Sequence, residues 1–93
     1  MARLFDTIRQ LVADEKYLIG EHAAERLEER GIMEWQVVDG MGEGQLIVER
    51  SRGKPFPAVE VRIMLPDGTD CKAVRSYLKQ SGVAKLVTVH FFE

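Results

Sequence analysis

The spacing of apolar residues changes once along this 93-residue chain, near residue 44. Before that point Leu4, Ile8 and Leu11 recur at three- and four-residue intervals, as on one side of an α-helix. After it, residues such as Val59 and Val61 alternate with polar residues, as on one face of a β-strand. Helices followed by a run of strands are typical of an α+β fold. We therefore predict N-terminal helices packed on one face of a small antiparallel sheet.

The helical part of the chain predicts three helices. Their expected bounds are about residues 2–14, 21–30 and 34–41. Gly31 follows the second helix and suits the left-handed residue that ends many helices. In the third helix, Trp35, Val38 and Met41 are expected to face inward.

The second part of the chain predicts about four strands in an antiparallel meander. Their expected bounds are residues 45–49, 58–65, 70–78 and 83–92. Asp67 and Gly68 fall where a tight hairpin turn between the second and third of these strands needs them. The short apolar segment 17–19 is predicted to be a connector between the first two helices.

The length of the chain fits one domain, residues 1–93, with the helices in about 2–42 and the sheet in about 45–92. No apolar run approaches the roughly 20 residues that span a bilayer. Asp6 lies where a signal peptide would have its apolar core, so a cytoplasmic protein without membrane contact is expected.

Metal and cofactor binding find little support in the composition. Cys71 is the single cysteine, which excludes an internal disulfide and a multi-cysteine zinc site. The two histidines, His22 and His90, lie far apart in the sequence and belong to no spaced ligand cluster. We therefore predict no metal site and no cofactor.

The charge of the chain is unevenly distributed. A net charge of -2 and a pI near 5.7 argue mildly against nonspecific nucleic-acid binding, which needs a strong positive field. The acidic residues crowd into the first half, whereas eight basic residues populate the second. These are Arg50, Arg52, Lys54, Arg62, Lys72, Arg75, Lys79 and Lys85. A basic sheet face on an acidic protein therefore remains open.

The second predicted helix carries a basic stripe. His22, Arg26 and Arg30 follow one another at i, i+4 and i+8, beside the apolar stripe that starts at Ala23. One interpretation is chemical, since these side chains would emerge at the rim of the buried face. The other is structural: the i, i+3 pairs that Glu25 makes with His22 and Glu29 makes with Arg26 would be ordinary surface ion pairs.

The sequence resembles a family of small bacterial proteins catalogued as domain of unknown function 4258. The resemblance rests mainly on the run His22-x-x-x-Arg26-x-x-x-Arg30-Gly31-Ile32. It extends from the first helix to the closing segment 87–90 and so covers nearly the whole chain. The family is grouped by fold with the RelE-like, ribosome-dependent mRNA interferase toxins. The resemblance thus implies helices on a small antiparallel sheet and RNA or the ribosome as a partner.

Our first hypothesis is a metal-independent mRNA interferase-like toxin or its descendant. Cleavage next to a 2′-hydroxyl needs a base, an acid and a cation at the phosphorane. Imidazole suits proton transfer at neutral pH, and arginine holds a phosphate in a bidentate manner. The candidate catalytic residues are His22, Arg26, Arg30 and His90. The candidate substrate-binding residues are Arg62, Lys72 and Arg75.

Our second hypothesis is a non-catalytic module that binds an antitoxin-like protein or a second copy of itself. Its binding surface would be the sheet face or the edge strand 45–49, with Phe92 exposed. Here the His/Arg/Arg stripe is structural and clamps its helix to the sheet through acids such as Glu60. The first hypothesis predicts that His22 and an arginine converge in an open cleft. The second predicts that Arg26 and Arg30 are saturated by protein carboxylates and carbonyls.

Overall fold

A computed structural model describes residues 3–92, in which three helices cover one face of a five-stranded sheet. The helices are α1 (Leu4–Ala13), α2 (Glu21–Arg30) and α3 (Glu34–Met41). The strands are β1 (Tyr17–Ile19), β2 (Gln45–Arg50), β3 (Ala58–Met64), β4 (Asp70–Leu78) and β5 (Val83–Phe91). The α+β class predicted from the sequence is confirmed. None of the helices within residues 3–92 is long and apolar enough to cross a membrane.

The sheet has the strand order β1-β5-β4-β3-β2. Its four longer strands are antiparallel neighbours, as predicted, whereas β1 pairs with β5 in parallel. The prediction that residues 17–19 are only a connector was therefore wrong. Backbone hydrogen bonds extend this pairing on both sides, from Ala84 N–H to the Lys16 carbonyl and from Gly20 N–H to the Leu86 carbonyl.

The alternation of β3 places one continuous core between the sheet and the helices. Val59, Val61 and Ile63 are fully buried on the helix-covered face, as their spacing predicted. Ile8 and Val12 of α1 belong to the same cluster of buried side chains. The opposite sheet face carries no helix in the described part of the chain, and we call it the open face.

The segment that ends α2 follows the predicted pattern. Gly31 adopts a left-handed conformation with φ 66°, and its N–H bonds to the Glu28 carbonyl. The next residue, Ile32, donates to the Leu27 carbonyl, which completes the C-terminal cap. α2 packs chiefly on β5 through its buried residues Ala23 and Leu27.

One prediction for α3 was wrong. Val37 and Met41, four residues apart, form its buried stripe, while Trp35 is 56% exposed. Two residues correspond to about 200° of rotation, so Trp35 and Val37 point to different sides of the helix. The helix begins without a side-chain cap from Met33, whose backbone N–H instead donates to Gln36 Oε1 at 2.9 Å.

A bulge interrupts the alternation of β5. The register with β4 shifts between Val74, which faces Thr88, and Arg75, which faces Leu86. Val87 is the extra residue between these two pairs. From Thr88 onward the side chains of β5 alternate regularly again, and His90 therefore lies on the open face of the sheet.

Candidate functional site

Three basic residues lie in one row across the open face. Arg62 of β3 is the cross-strand partner of Lys72 of β4, which is in turn the partner of His90 of β5. Directly opposed side chains in neighbouring antiparallel strands lie about 5 Å apart at their Cβ atoms. We call Arg62, Lys72 and His90 the basic row.

The basic stripe of α2 runs alongside the end of this row. At the start of the helix, Gly20 is hydrogen-bonded to Leu86 of β5. At its end, the Arg30 guanidinium lies 5.0 Å from the centroid of the Phe91 ring. α2 therefore follows the second half of β5 in the same direction, beyond the short strand β1. This placement brings the stripe next to His90.

The charges that act on His90 come from both the basic row and the stripe of α2. The pKa of His90 is lowered from its usual 6.5, first by burial of the imidazole and then by the charge of Lys72. The charges of Arg26, Arg30 and His22 lower it further. Cations disfavour a protonated imidazole because they repel it. His90 is therefore neutral at pH 7 and offers a proton-accepting nitrogen among positively charged groups.

Protein carboxylates do not saturate the arginines of α2. Arg26 Nη1 lies 3.3 Å from Glu29 Oε2, which confirms the predicted i, i+3 pair, and its Nε lies 3.5 Å from His22 Nε2. Within residues 3–92, no carboxylate or carbonyl pairs with Arg30, and its buried Nε has no hydrogen-bond partner. The predicted pair of His22 with Glu25 is not formed in this structure.

Carboxylates instead neutralise part of the open face. Glu60 bridges two cations, with Arg50 Nη2 at 2.9 Å and Lys72 Nζ at 3.2 Å. Asp70 Oδ2 lies 3.8 Å from Arg62 Nε. Glu60 was expected to clamp α2 under the structural hypothesis, but its partners belong to β2 and β4. The stripe of α2 is therefore not held to the sheet by Glu60.

A shallow depression lies at the N-terminal end of the stripe. It has a volume of about 390 Å³ and is lined in part by His22, Glu25, Lys85 and Val87. Because it opens directly to solvent, a group of phosphate size can reach the His22 imidazole. This depression is lined neither by an arginine nor by His90, and the depression beside Arg30 and Phe91 is not lined by His22. Neither depression is therefore the open cleft that the first hypothesis predicted for His22 and an arginine, and the site is a surface.

Comparison with protein-family models finds one family, described as Domain of unknown function (DUF4258), over residues 19–91. The chain belongs to the DUF4258 family. The matched segment contains the α2 stripe and the basic row, so both lie within the family's domain, whereas α1 precedes it. Neither the curated proteins nor the solved structures contain a match to this chain.

Arg75, one of the predicted substrate-binding residues of this DUF4258 protein, does not lie on the open face. Arg75 is fully buried on the helix-covered face, opposite Val59 and Leu86, so it cannot extend a surface groove with Arg62 and Lys72. Its guanidinium lies 5.8 Å from the centroid of the Tyr17 ring. Burial lowers its pKa to about 10, and its three side-chain nitrogens have no hydrogen-bond partner among the described residues.

Cys71 also points away from the site of this DUF4258 protein. It is fully buried on the helix-covered face, and burial followed by the charge of Asp70 raises the pKa of its thiol to about 11. A thiol that stays protonated at neutral pH is a poor nucleophile and a poor metal ligand. Residues 3–92 contain no group of three or more histidine, cysteine, aspartate or glutamate residues placed to hold a metal ion.

Two residues have contacts at the site that the sequence did not predict for them. Glu60 is the acid that holds Arg50 and Lys72, and Lys85 shares the depression at His22. Phe92 is exposed, as expected, and the Arg62 guanidinium lies over its ring at 4.5 Å. The strict alternation of β3 was the available signal for Glu60, since it placed this residue on the same face as Arg62.

Proposed function

We propose that this DUF4258 protein binds RNA through the phosphate backbone and cleaves it without a metal ion. The observation that carries the proposal is the set of charges around His90. Lys72, Arg26, Arg30 and His22 come from two separate elements, and all four depress the pKa of this one imidazole. A set of positive charges gathered around one point attracts an anionic ligand.

The local charge supports a polyanion as the ligand despite the acidic pI. The surface carries six arginine and lysine side chains, together with His22 and His90, against five carboxylates. The cations are Arg26, Arg30, Arg50, Arg62, Lys72 and Lys85, and the carboxylates are Glu21, Glu25, Glu29, Glu60 and Asp70. Backbone phosphates bind to surfaces of this kind with a strong dependence on salt.

The same residues fit the chemistry of RNA cleavage at a 2′-hydroxyl. Neutral His90 accepts the proton of the 2′-hydroxyl as its oxygen attacks the neighbouring phosphorus. The bond from phosphorus to the 5′-oxygen breaks, and the leaving oxygen takes a proton from a second acid, for which His22 is the candidate. Arg26 and Arg30 stabilise the charge that develops on the phosphorane. The products are a 2′,3′-cyclic phosphate and a 5′-hydroxyl.

The grouping of the DUF4258 family by fold with mRNA interferase toxins supports RNA as the substrate and ribosome-bound mRNA as its form. Fold analogy alone is weak support, because one fold hosts many functions. The charges of Arg26 and Arg30 that act on His90 are the stronger support, since they belong to this chain's own residues.

A second candidate function rests on the edge strand β2. This strand pairs with β3 only, so its other edge carries backbone groups without a strand partner in the described sheet. Ile47, which lies at the bulge of β2, is 44% exposed. An extended segment of an antitoxin-like protein or of a second copy would bind here by strand addition. In this alternative the basic surface has no catalytic role.

A cleavage assay tests the proposal. Purified protein is incubated with 5′-labelled RNA and with translating ribosomes in the presence of EDTA, and the products are examined for 2′,3′-cyclic phosphate ends. The variants are His90→Ala and His22→Ala, with Lys79→Ala in the exposed β4–β5 turn as the matched control. Circular dichroism establishes that each variant is folded.

We expect the wild type and the Lys79 variant to cleave RNA and arrest growth when induced in a bacterium. Both histidine variants should still bind RNA but lose cleavage by at least about 100-fold, the usual contribution of a general acid or base. A wild type that neither binds nor cleaves RNA, free or on ribosomes, would contradict the proposal and favour the edge-strand alternative.

A further inference from the structure

We infer that the exposed ring of Phe92, at the same end of the open face as Met64, is a platform on which an unpaired RNA base stacks, so that the protein selects single-stranded RNA. This inference rests on the proposed function, because it assigns the substrate class of the same surface. It starts from two exposed apolar side chains that lie beside the basic row. Met64 is 65% exposed and Phe92 is 40% exposed.

Both side chains lie at the same end of the open face. β3 ends at Met64, whose partner is Asp70 of β4. β5 runs in the same direction as β3, since both are antiparallel to β4, and Phe92 follows its last residue. Phe91 points to the helix-covered face, where it pairs with Cys71 and lies near Arg30.

Arg62 connects this platform to the basic row. Its guanidinium lies 4.5 Å from the centroid of the Phe92 ring, while its Nε lies 3.8 Å from Asp70 Oδ2. A cation over one ring face fixes the orientation of the aromatic group. The ring remains substantially exposed, so a planar ligand can stack on it while Arg62 reaches the adjoining phosphate.

A nucleic-acid base explains this combination better than a peptide or a free anion. A row of cations next to an exposed aromatic ring is the arrangement that binds single strands, with phosphates on the cations and bases on the rings. Paired bases of an RNA duplex are stacked on one another and do not present a free face. The platform therefore selects unpaired positions and places the adjoining phosphate next to Lys72 and His90.

Tryptophan fluorescence provides a direct test. The chain has one tryptophan, Trp35, on α3. The double variant Trp35→Phe/Phe92→Trp moves this reporter to the platform. It is titrated with a 2′-O-methyl single strand, which cannot be cleaved by 2′-hydroxyl attack, with a duplex of the same sequence, and with inorganic polyphosphate. Stacking of a base should quench the fluorescence with the single strand and leave it unchanged with polyphosphate.

Binding measurements with Phe92→Ala and Phe92→Tyr provide the second readout. The alanine variant should bind the single strand about 5- to 100-fold more weakly, the range expected for the loss of one stacked base, and the tyrosine variant should restore binding. The dependence of affinity on salt should stay unchanged, because no cation is lost. Phe56→Ala is the matched control, since Phe56 is 46% exposed in the β2–β3 loop and lies outside the platform.

The outcomes separate the two proposals. The platform is wrong, while RNA binding stands, if two results are found together. The first is that the wild type and Phe92→Ala bind the single strand equally well. The second is that the single strand does not quench the fluorescence of a tryptophan at position 92. The platform is also wrong if the protein binds the duplex and the single strand with equal affinity. If neither strand nor polyphosphate binds, the proposed function fails and the platform fails with it.

Discussion

Lys72 and His90 are direct cross-strand partners on the open face of the sheet. Among the charges around His90, Lys72 has the largest effect in lowering its pKa, after burial of the ring. Replacement of Lys72 by glutamine should therefore raise the pKa of His90 toward 6.5 without restoring it fully, since burial remains. NMR titration of the imidazole Cε1–H measures this change. Lys79→Gln is the control, and a His90 pKa that responds equally to both variants would show a nonspecific charge effect.

The same pKa predicts how stability depends on pH. The folded-state pKa of His90 lies below its unfolded value, so near pH 6.5 the unfolded chain binds more protons at this position. The contribution of His90 to stability is therefore lost as the pH falls through 6.5 toward the folded-state pKa. His90→Gln should flatten the unfolding free energy between about pH 7 and pH 5 in denaturant titrations at fixed salt. If the unfolding free energy of the His90→Gln variant depends on pH as steeply as that of the wild type, the lowered pKa of His90 is contradicted.

Glu60 restrains the positive charge of the open face. Its carboxylate bridges Arg50 and Lys72, so Glu60→Gln should release both cations for phosphates. Under the proposed function, RNA affinity should rise several-fold, and its dependence on salt should become steeper by up to about two phosphate contacts. Fluorescence anisotropy from 50 to 300 mM salt measures both quantities. Glu28→Gln, at an exposed position on the outer side of α2, removes the same charge without freeing the row, and an equal gain in both variants would count against this role.

Replacement of either of two glycines by alanine should lower the unfolding free energy, for a different physical reason in each case. A Cβ on Gly44 would lie 2.5 Å from Val61 Cγ1 and 3.3 Å from Ile63 Cγ2, inside the packed core. A Cβ on Gly31 would meet nothing within 4 Å, but its φ of 66° is strained for alanine. We expect Gly44→Ala to cost about 1–3 kcal/mol and Gly31→Ala about 1–2 kcal/mol of unfolding free energy. Urea unfolding measures both, and a neutral Gly44→Ala would contradict the close packing of β2 against β3.

Local patterns in the sequence predicted the layered fold and the contents of the core. The alternation of β3 and the i, i+4 spacing of α2 each follow from local geometry, so they were readable without tertiary information. β1 was missed because three apolar residues carry no usable period, and its pairing with β5 is distant in sequence. Trp35 was misplaced because the spacing of Trp35, Val38 and Met41 is also compatible with a helical stripe, whereas packing buries Val37 and Met41.

The candidate site shows the same division between local and tertiary information. The stripe from His22 to Arg30 was visible in the spacing, but its approach to His90 depends on how α2 lies along β5. The position of Arg75 was in fact present in the pattern, because it shares a face with Cys71 and Ala73, two small apolar residues. Its charge suggested the surface instead. Alternation therefore predicted its face better than residue type did.

The burial of Arg75 leads to a prediction for stability. Its guanidinium is enclosed in the core without a hydrogen-bond partner among the described residues, and its remaining electrostatic support comes from Tyr17 and Glu34. A charge in this position is costly to desolvate, and an apolar side chain of similar length avoids that cost. Arg75→Met should therefore be neutral or stabilise the protein by up to about 4 kcal/mol in urea unfolding. Arg62→Met, at an exposed position, should change stability by no more than about 0.5 kcal/mol.

The variant Glu34→Gln tests whether attraction between Glu34 and Arg75 offsets the free-energy cost of burying the Arg75 guanidinium. If Arg75→Met and Glu34→Gln each destabilise by more than about 1 kcal/mol, and the double variant costs no more than either one, the two residues form a coupled pair. That result would overturn the interpretation of Arg75 as an uncompensated buried charge. A stabilised Arg75→Met that cleaves RNA at the wild-type rate would instead place Arg75 outside the catalytic surface, as its position on the helix-covered face indicates.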